Sequence, residues 1–386
     1  MDFPKDIILE ILLRLPVKSV MRFKCVSSDW NDTISAAFLR KNYLSRHGKN
    51  APTGFFYSCL PSYRSKTRHN KFISCTAMET REFESLDCLQ NLRNVLASSK
   101  GLLLLSRNHN TYHVIDLVSK KHVELPKPLE KYPHAHVGFV CHEQETGGRK
   151  INGLSYKLVR VGGTFPPVML PDNEAKTRAV ETYSSKTGKW SKSTVMAATG
   201  FYLGQLTAAK VIGGVFHWWD GDWERVVAYN PDNPKGRVKL INLPWDRGID
   251  GYGRKDFEGT QNGCLQFFFI IHGSIEVWVL KSKREGGSYL DDDEDVVEVS
   301  RWTLAHRISF SEIGVGHSDF GPESGHHYPL PIAIIPWNPH IILLTSSNEI
   351  ISYDQTERKI EVLYPYRFDE FSDEFVPFQW PVWPCL

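Results

Sequence analysis

The 386-residue sequence lacks any uninterrupted apolar run close to the ~18 residues that a membrane-spanning helix needs. Its first residues also lack the apolar core of a secretory signal, because Asp2, Lys5, Asp6 and Glu10 interrupt it. An excess of charge of one sign is missing too: the net charge is +2, which favours binding neither to nucleic acid nor to an anionic membrane. We therefore expect neither a membrane span nor a nucleic-acid partner.

The seven cysteines are too few and too scattered for a disulfide framework. Their number is odd and no pair is spaced as Cys-x-x-Cys, so a structural zinc site is not indicated either. Free thiols persist in a reducing compartment, and this pattern predicts a cytoplasmic or nuclear protein.

The composition is that of a folding chain rich in aromatic residues. Hydrophobic residues make up 41% and charged residues 23% of the sequence, unlike a disordered chain. Aromatic residues make up 12%, with 11 Trp and 15 Tyr, which favours β-structure. The length exceeds the ~150 residues of a common domain and predicts two domains or one large β-domain.

Residues 1–47 differ from the rest, because their apolar side chains recur at helical spacing. Pro16 ends the first predicted helix, a second covers residues 17–24, and a third runs from the N-cap Ser27 to Arg46. Three helices of this size cannot bury all their apolar side chains against one another. Either a partner's helices complete the surface or these helices cap the following domain, and periodicity alone favours neither.

The spacing of these residues resembles the F-box, in the form that heads large plant protein families. The matching segments are Phe3-Pro4, Ile7 with Glu10-Ile11-Leu12, Arg14-Leu15-Pro16-Val17-Lys18, Arg22-Phe23, Cys25-Val26-Ser27 and Trp30. The sequence departs from the family pattern at two places. Phe3 stands where Leu is usual, and Ser28-Asp29 stands where a Lys often precedes a Ser-Trp pair.

The resemblance implies a set of partners. An F-box binds a Skp-type adaptor, which connects it to cullin, a RING protein and a ubiquitin-conjugating enzyme. On this basis the helices present apolar side chains to the adaptor. The residues that the resemblance assigns to adaptor binding are Phe3, Pro4, Ile7, Ile11, Leu12, Leu15, Pro16, Val17, Val20, Phe23, Cys25, Val26 and Trp30.

Residues 48–386 show short apolar or alternating runs between clusters of Gly, Pro, Asn and Asp, which is typical of an all-β meander. A loose unit, interpreted as an antiparallel sheet of three or four strands, recurs about every 40–50 residues. One unit cannot bury both faces of its sheet, so a radial arrangement in an irregular β-propeller is predicted, with a sandwich as the alternative. The clearest copies start near Gly101, Tyr156, Gly214, Gly263 and Ile341, and a weaker one near Thr53.

The same region resembles the kelch-like F-box-associated domain of plants. The shared motifs fall in its order within residues 53–365: G-L-L-L-L, Y-K-L-V-R-V, Y-S-S-K-T-G-K-W, G-V-F-H-W-W and V-W-V-L. This resemblance implies recognition of a protein target without naming the target. From about residue 364 an acidic tail rich in Phe and Trp follows. We expect the tail to pack onto the β-domain, and docking to a partner is the alternative.

Two groups of polar residues invite a metal or catalytic interpretation. His134, His136, Cys141 and His142 lie close in sequence, but strand alternation sends the first two to the face opposite Cys141. Residues 316–327 contain His, Ser, Asp and Glu in one loop, without the neighbouring strands that hold a catalytic triad. We therefore predict no catalytic residue, no metal and no cofactor.

Together these features predict a substrate-recognition subunit of a Skp–cullin–F-box ubiquitin ligase. Such a subunit raises the effective concentration of its target near the ubiquitin-charged enzyme and needs no catalytic group of its own. Two alternatives stay open. In the first, the chain is an F-box protein whose β-domain senses a small molecule or glycan. In the second, the β-domain is a propeller hydrolase with paired carboxylates in a central cleft.

Overall fold

A computed structural model of the chain describes the helices, most of the strands and part of the loops. The described residues are 5–47, 53–59, 69–74, 94–108, 110–117, 119–132, 134–143, 154–163, 176–203, 208–221, 224–232, 236–244, 255–259, 264–271, 273–282, 289, 295–313, 330–335, 338–345, 349–365, 374–379 and 383. None of the helices among them is long and apolar enough to cross a membrane.

Residues 5–47 form four helices, so the predicted number of three is wrong. They are α1 (Lys5–Arg14), α2 (Val17–Phe23), α3 (Ser28–Ser35) and α4 (Ala37–His47). The predicted third helix breaks at Ala36, whose backbone is extended with φ −66° and ψ 137°. A straight helix over residues 27–46 would be ~30 Å long and would carry its second half away from the others. The break instead returns Leu39 and Tyr43 to the core that contains Ile34.

The helices begin where the sequence provides a cap or a proline. The Ser27 hydroxyl accepts a hydrogen bond from the Trp30 backbone amide, 3.2 Å away, and so caps α3. Pro16 lies between α1 and α2, as predicted. The helices end at His47 and the first strand starts at Thr53. That residues 1–47 and 48–386 fold as separate domains remains a prediction.

The described strands of the remaining chain form six sheets. Sheet 1 contains β1 (Thr53–Cys59), β2 (His69–Ser74) and β24 (Glu374–Gln379); sheet 2 contains β3 (Asn94–Ser99), β4 (Leu102–Asn108), β5 (Thr111–Asp116) and β6 (Lys121–Glu124); sheet 3 contains β7 (His134–Glu143), β8 (Leu154–Gly163), β9 (Thr177–Ser184) and β10 (Lys189–Met196). Sheet 4 contains β11 (Lys210–Ile212), β12 (Val215–Trp219), β13 (Arg225–Tyr229), β14 (Val238–Asn242) and β18 (Val296–Val297); sheet 5 contains β15 (Lys255–Gly259), β16 (Leu265–Ile271), β17 (Ser274–Leu280) and β19 (Trp302–Ser309); sheet 6 contains β20 (Leu330–Ile335), β21 (Asn338–Thr345), β22 (Glu349–Asp354) and β23 (Lys359–Pro365).

Sheets 2 to 6 are antiparallel meanders of consecutive strands, to which β18 adds one short parallel strand beside β14. Their first strands are neighbours in space: β3 lies beside β7, β7 beside β11, β11 beside β15 and β15 beside β20. The last strand, β24, lies between β20 and β3 and completes the ring. The five blades and the closing sheet therefore form a β-propeller, which confirms the predicted fold and not the sandwich alternative.

The apolar core of the propeller lies between neighbouring sheets. One buried cluster joins sheet 2 to sheet 3, for example Tyr112 and Val114 to Phe139 and Leu158. Similar clusters join sheet 3 to sheet 4, sheet 4 to sheet 5, sheet 5 to sheet 6, and sheet 1 to sheet 2. Sheets 2 to 5 thus each bury apolar side chains against both neighbours, as the repeated units of the sequence predicted.

Candidate functional sites

The propeller has two rims, and the helices lie at one of them. Thr53 at the start of β1 pairs with Gln379 at the end of β24, so both chain connections to this sheet meet at one edge. The Ser98 hydroxyl near the end of β3 donates to the carbonyl of Pro377 near the end of β24, which places the β3–β4 turn at the same edge. We call this edge the helix rim and the opposite edge, with the β4–β5 and β6–β7 connections, the far rim.

A lysine pair marks where the helices approach the propeller. Lys24 follows α2, and Lys121 starts β6 on the helix rim. Burial lowers the pKa of Lys24, and the nearby Lys121 ammonium lowers it further. The effect of Lys121 reflects that the end of α2 lies near the helix-rim end of sheet 2.

Within residues 5–47, four large apolar side chains are exposed, three on helices and one in the turn between α2 and α3. Ile7 is 47% exposed and Ile11 49% exposed, one turn apart on the same face of α1. Val26 and Phe38 are 60% and 65% exposed. Covering side chains of this size is favourable, so the face of α1 that carries Ile7 and Ile11 is suited to bind another protein.

A surface network orients α1 on α4 beside these residues. The Glu10 carboxylate accepts hydrogen bonds from Arg14 Nε at 2.8 Å and from Arg46 Nη1 at 3.0 Å. These two guanidinium contacts hold the pKa of Glu10 below its ordinary value. Because Arg46 belongs to α4, its hydrogen bond to Glu10 connects α4 to α1.

A buried ion pair lies beneath the far rim. Arg160 of β8 and Glu181 of β9 are directly opposite in the strand register, and both side chains are fully buried. Arg160 also donates to the Tyr112 hydroxyl at 3.0 Å and to the Asn110 side-chain oxygen at 2.9 Å. A buried guanidinium is tolerated only when its donors are satisfied in this way.

The same ion pair fixes the connection between β6 and β7. Arg160 donates to the carbonyl of Glu130 at 3.2 Å, and the backbone amide of Glu130 donates to Glu181 at 2.7 Å. The guanidinium also lies over the Tyr132 ring, 5.2 Å from its centroid. The segment that ends at Tyr132 is therefore anchored, and it exposes 58% of Leu129 at the far rim.

A second buried carboxylate fixes the next part of the far rim. Asp220 follows β12, is fully buried, and pairs with Arg225 at 2.5 Å. Its carboxylate accepts from the backbone amides of Tyr202 and Gly221, both at 3.0 Å. Burial raises the pKa of Asp220, against the opposing effect of the Arg225 charge. A side chain at Gly221 would clash with the Tyr202 ring, since its Cβ would lie 1.6 Å from a ring carbon.

A third buried polar pair joins His217 of β12 to Tyr289, which lies in the apolar cluster between sheets 4 and 5. Tyr289 and His217 Nε2 are 2.7 Å apart, and the other ring nitrogen of His217 lies 3.0 Å from the carbonyl of Val215. Burial lowers the pKa of His217 to about 4. The imidazole is thus neutral at physiological pH, donates from Nδ1 and accepts the tyrosine hydroxyl at Nε2. Because both groups are buried, this pair is part of the core and not a ligand site.

In a comparison with known protein families, one family model matches the helical part of the chain and another matches the propeller. An F-box domain model matches residues 1–41. A model described as the β-propeller of F-box protein At3g26010-like matches residues 71–376. The chain belongs to this family of F-box propeller proteins. Helices α1 to α4 are hereafter called the F-box.

Relatives of the whole chain are found in Arabidopsis thaliana. The chain is 25% identical to F-box protein At5g03970 over 400 residues, which cover 98% of the chain and 88% of the relative. It is 54% identical to F-box protein At2g40925 over 295 residues, covering 72% of the chain and 70% of the relative. A putative F-box/kelch-repeat protein, At1g15680, is 22% identical over 378 residues, covering 93% and 83%.

The structure separates the predicted adaptor-binding residues by exposure. Leu12 and Val20 are fully buried in the F-box core, and Leu15, Val17, Phe23 and Trp30 are partly buried around it. Exposed positions are Ile7, Ile11, Pro16, Cys25 and Val26. Phe3 and Pro4 lie outside the described residues. Adaptor contact remains a prediction for all thirteen residues, and the exposed ones are those that a partner can reach without unfolding the F-box.

Phe38 is exposed, although the spacing of apolar residues in one continuous third helix predicts it on the apolar face. A continuous third helix would put Phe38 on the same face as Trp30 and Ile34. The break at Ala36 changes the direction of the chain, so that Leu39 turns inward and Phe38 outward.

The polar groups considered as metal or catalytic sites lie in the propeller. His136 and Cys141 are both buried in β7, and Cys141 belongs to the apolar cluster between sheets 2 and 3. Within the described ranges, no group of three or more His, Cys, Asp or Glu side chains is placed to hold a metal ion. The loop over residues 316–327 lies outside those ranges.

Proposed function

We propose that this F-box protein is a substrate-recognition subunit of a Skp–cullin–F-box ubiquitin ligase. The observation that carries the proposal is the exposed pair Ile7 and Ile11 on α1 of an F-box attached to a propeller. The F-box binds a Skp-type adaptor and, through it, cullin and the RING protein. The subunit itself is non-catalytic and acts in the cytoplasm or nucleus.

The two rims suggest how the protein divides its tasks. The F-box lies at the helix rim, so an adaptor bound to α1 lies on that side of the propeller. The far rim is turned away from the F-box, and its loops are anchored by the buried pairs of Arg160 and Asp220. Anchored loops lose little conformational entropy on binding, which favours this rim for the protein substrate. The ligase then acts by keeping the substrate near the charged enzyme.

Among the described residues, nothing specifically favours either alternative function. Glu181 and Asp220 are buried, and each is paired with an arginine. A glycoside hydrolase needs two carboxylates that face its substrate across a cleft. These two carboxylates stabilise loops instead, and the same residues support a binding surface made of loops.

The first test concerns adaptor binding. Replacing Ile7 and Ile11 together with Glu is expected to weaken binding of a purified Skp-type adaptor at least ~100-fold, because two apolar contacts are replaced by charges that must be desolvated. Both side chains are about half exposed, so the fold should persist. The matched control replaces two exposed side chains on the propeller, Leu304 and Val362, with Glu. Unchanged affinity in the Ile7/Ile11 variant would contradict the proposal.

The second test concerns the substrate. Leu129 is exposed on the anchored far-rim segment, and its replacement with Glu is expected to remove specific proteins from the set found by proximity labelling in cells with the proteasome inhibited. Adaptor and cullin should stay in the set. The Ile7/Ile11 variant should show the reverse, keeping substrates and losing adaptor and cullin. If the Leu129 variant labels the same proteins as the intact chain, the far rim is not the substrate surface.

A further inference from the structure

The C-terminal tail contributes a residue to the core of the F-box. Trp383 is buried, with 7% of its surface exposed, in the cluster of Leu12, Val20, Ile34 and Leu39. Its ring meets the Tyr43 ring edge-on, with centroids 5.2 Å apart and planes at 62°. This contact joins the last residues of the chain to helices near its start.

The path of the chain makes this contact a second link between the F-box and the propeller. Trp383 comes four residues after Gln379, which ends β24 and pairs with Thr53 at the helix rim. On the other side, α4 ends at His47, six residues before Thr53. Four extended residues reach at most ~14 Å, so Trp383 keeps the F-box close to sheet 1.

Tyr43, which Trp383 contacts, also binds the end of α1, the helix proposed to bind the adaptor. Its hydroxyl donates to the backbone carbonyl of Leu15 at 2.8 Å, just after the end of α1. Its ring also packs on His47, 4.3 Å between centroids, and His47 Nε2 lies 2.8 Å from the carbonyl of Leu13. The end of α1 and the whole of α4 are therefore held together around the residue that Trp383 covers.

We propose that Trp383 is a positioning residue for adaptor binding: the tail completes the F-box core and fixes the F-box on the helix rim. This inference rests on the proposed function. The family model of the F-box matches residues 1–41, so Tyr43 at the end of the F-box and Trp383 in the tail both lie outside the matched residues. An F-box that needs Trp383 is folded only while the propeller, whose closing strand carries the tail, is folded as well.

The consequence for binding follows from the population of folded F-box. An isolated set of four short helices has a small core and is marginally stable. When the binding-competent state is only partly populated, the apparent Kd rises by the inverse of that fraction. Removing the Trp383 ring takes a large aromatic group out of this core, and we expect about tenfold weaker adaptor binding from the lower population.

The experiment compares full-length chains that differ at Trp383. Trp383→Ala and a chain ending at Gln379 are expected to lose hydrogen-exchange protection in α1 to α4 and to bind a purified Skp-type adaptor about tenfold more weakly. Trp383→Phe should restore most of both. The matched control is Trp190→Ala, which removes a tryptophan that packs at the interface of sheets 2 and 3. That control should leave F-box protection and adaptor affinity unchanged.

The outcomes separate this inference from the proposed function. If the intact chain does not bind the adaptor, the proposed function fails and the inference with it. If the intact chain binds and Trp383→Ala binds equally well, only the inference fails, whether or not exchange protection has changed. Weaker binding with lost F-box protection in Trp383→Ala, and recovery in Trp383→Phe, supports both.

Discussion

A chain that ends at Pro365 is expected to lose the cooperative folding of the whole propeller. It lacks β24, the strand that lies between β20 and β3 and pairs with β1 over Thr53 to Ser58. Val376 and Phe378 of this strand are buried, and the Phe378 ring lies 5.2 Å from that of Phe56. Without β24, the ring of sheets is open between its first and last blades.

The size of the effect follows from what β24 buries. Losing a buried Phe side chain costs about 3–5 kcal/mol, and each lost ladder hydrogen bond costs about 1 kcal/mol. Together these losses reach the ~5–15 kcal/mol that usually separates a folded domain from its unfolded state. Each blade buries its faces only against its neighbours, so the loss should spread from the closing sheet to the other blades.

The measurement is a thermal melt followed by circular dichroism, with size-exclusion chromatography of the same samples. The control chain ends at Gln379, which removes the tail and keeps β24. It should melt like the intact propeller, while the chain ending at Pro365 should aggregate or show no cooperative transition. If the chain ending at Pro365 melts cooperatively at the same temperature as the intact protein, the five blades are stable without closure.

Much of each blade could be predicted from the sequence, including β7, but several of the other innermost strands could not. The copies that start near Gly101 and Gly214 begin at the second strand of their blades, β4 and β12. A glycine-marked turn precedes each of these strands, with Gly101 at φ 84° and Gly214 at φ 80°, and such turns are visible locally. The innermost strands are less distinct: β11 is three residues long, and β15 reads Lys-Asp-Phe-Glu-Gly.

Closure of the ring could not be predicted, since it depends on partners far apart in sequence. Phe55 of β1 pairs with Pro377 of β24, and nothing in either local pattern names the other. The aromatic tail was expected to pack onto the β-domain, and this is right for Phe375 and Phe378, which lie in β24. It is wrong for Trp383, which packs in the F-box core. An isolated Trp carries no signal for which domain buries it.

The candidate sites differ in the same way: residues of a local motif could be predicted, and a pair that depends on strand register could not. The adaptor-binding residues came from a dense local motif, whereas the buried pair of the far rim joins two ordinary strands. Its sequence signal is Arg160 between Val159 and Val161, a charge within an apolar run. Such a charge needs a buried partner, but the choice of Glu181 depends on the register of β8 and β9.

Glu181→Ala is expected to destabilise the propeller by about 3–5 kcal/mol, the usual cost of leaving one partner of a buried ion pair uncompensated. Arg160 would keep its contacts to Asn110 and Tyr112 but would lose the charge that balances it. The backbone amide of Glu130 would lose its acceptor as well, so the far-rim segment should loosen. Chemical denaturation gives the free energy of unfolding, and hydrogen exchange of residues 125–132 reports the local effect.

The double variant Arg160→Met with Glu181→Leu separates the cost of an unpaired charge from the value of the pair. Apolar replacement of both partners removes the buried charge, so the double variant should recover most of the stability that Glu181→Ala loses. The exposed ion pair of Lys192 with Glu130, 2.7 Å apart, is the matched control, and Lys192→Ala should leave stability nearly unchanged. If the double variant is no more stable than Glu181→Ala, the carboxylate acts through its hydrogen bond to the Glu130 amide and not through its charge. Hydrogen exchange of residues 125–132 is measured in the same variants, and recovered stability with fast exchange in this segment would mean that the ion pair serves the loop and not the fold.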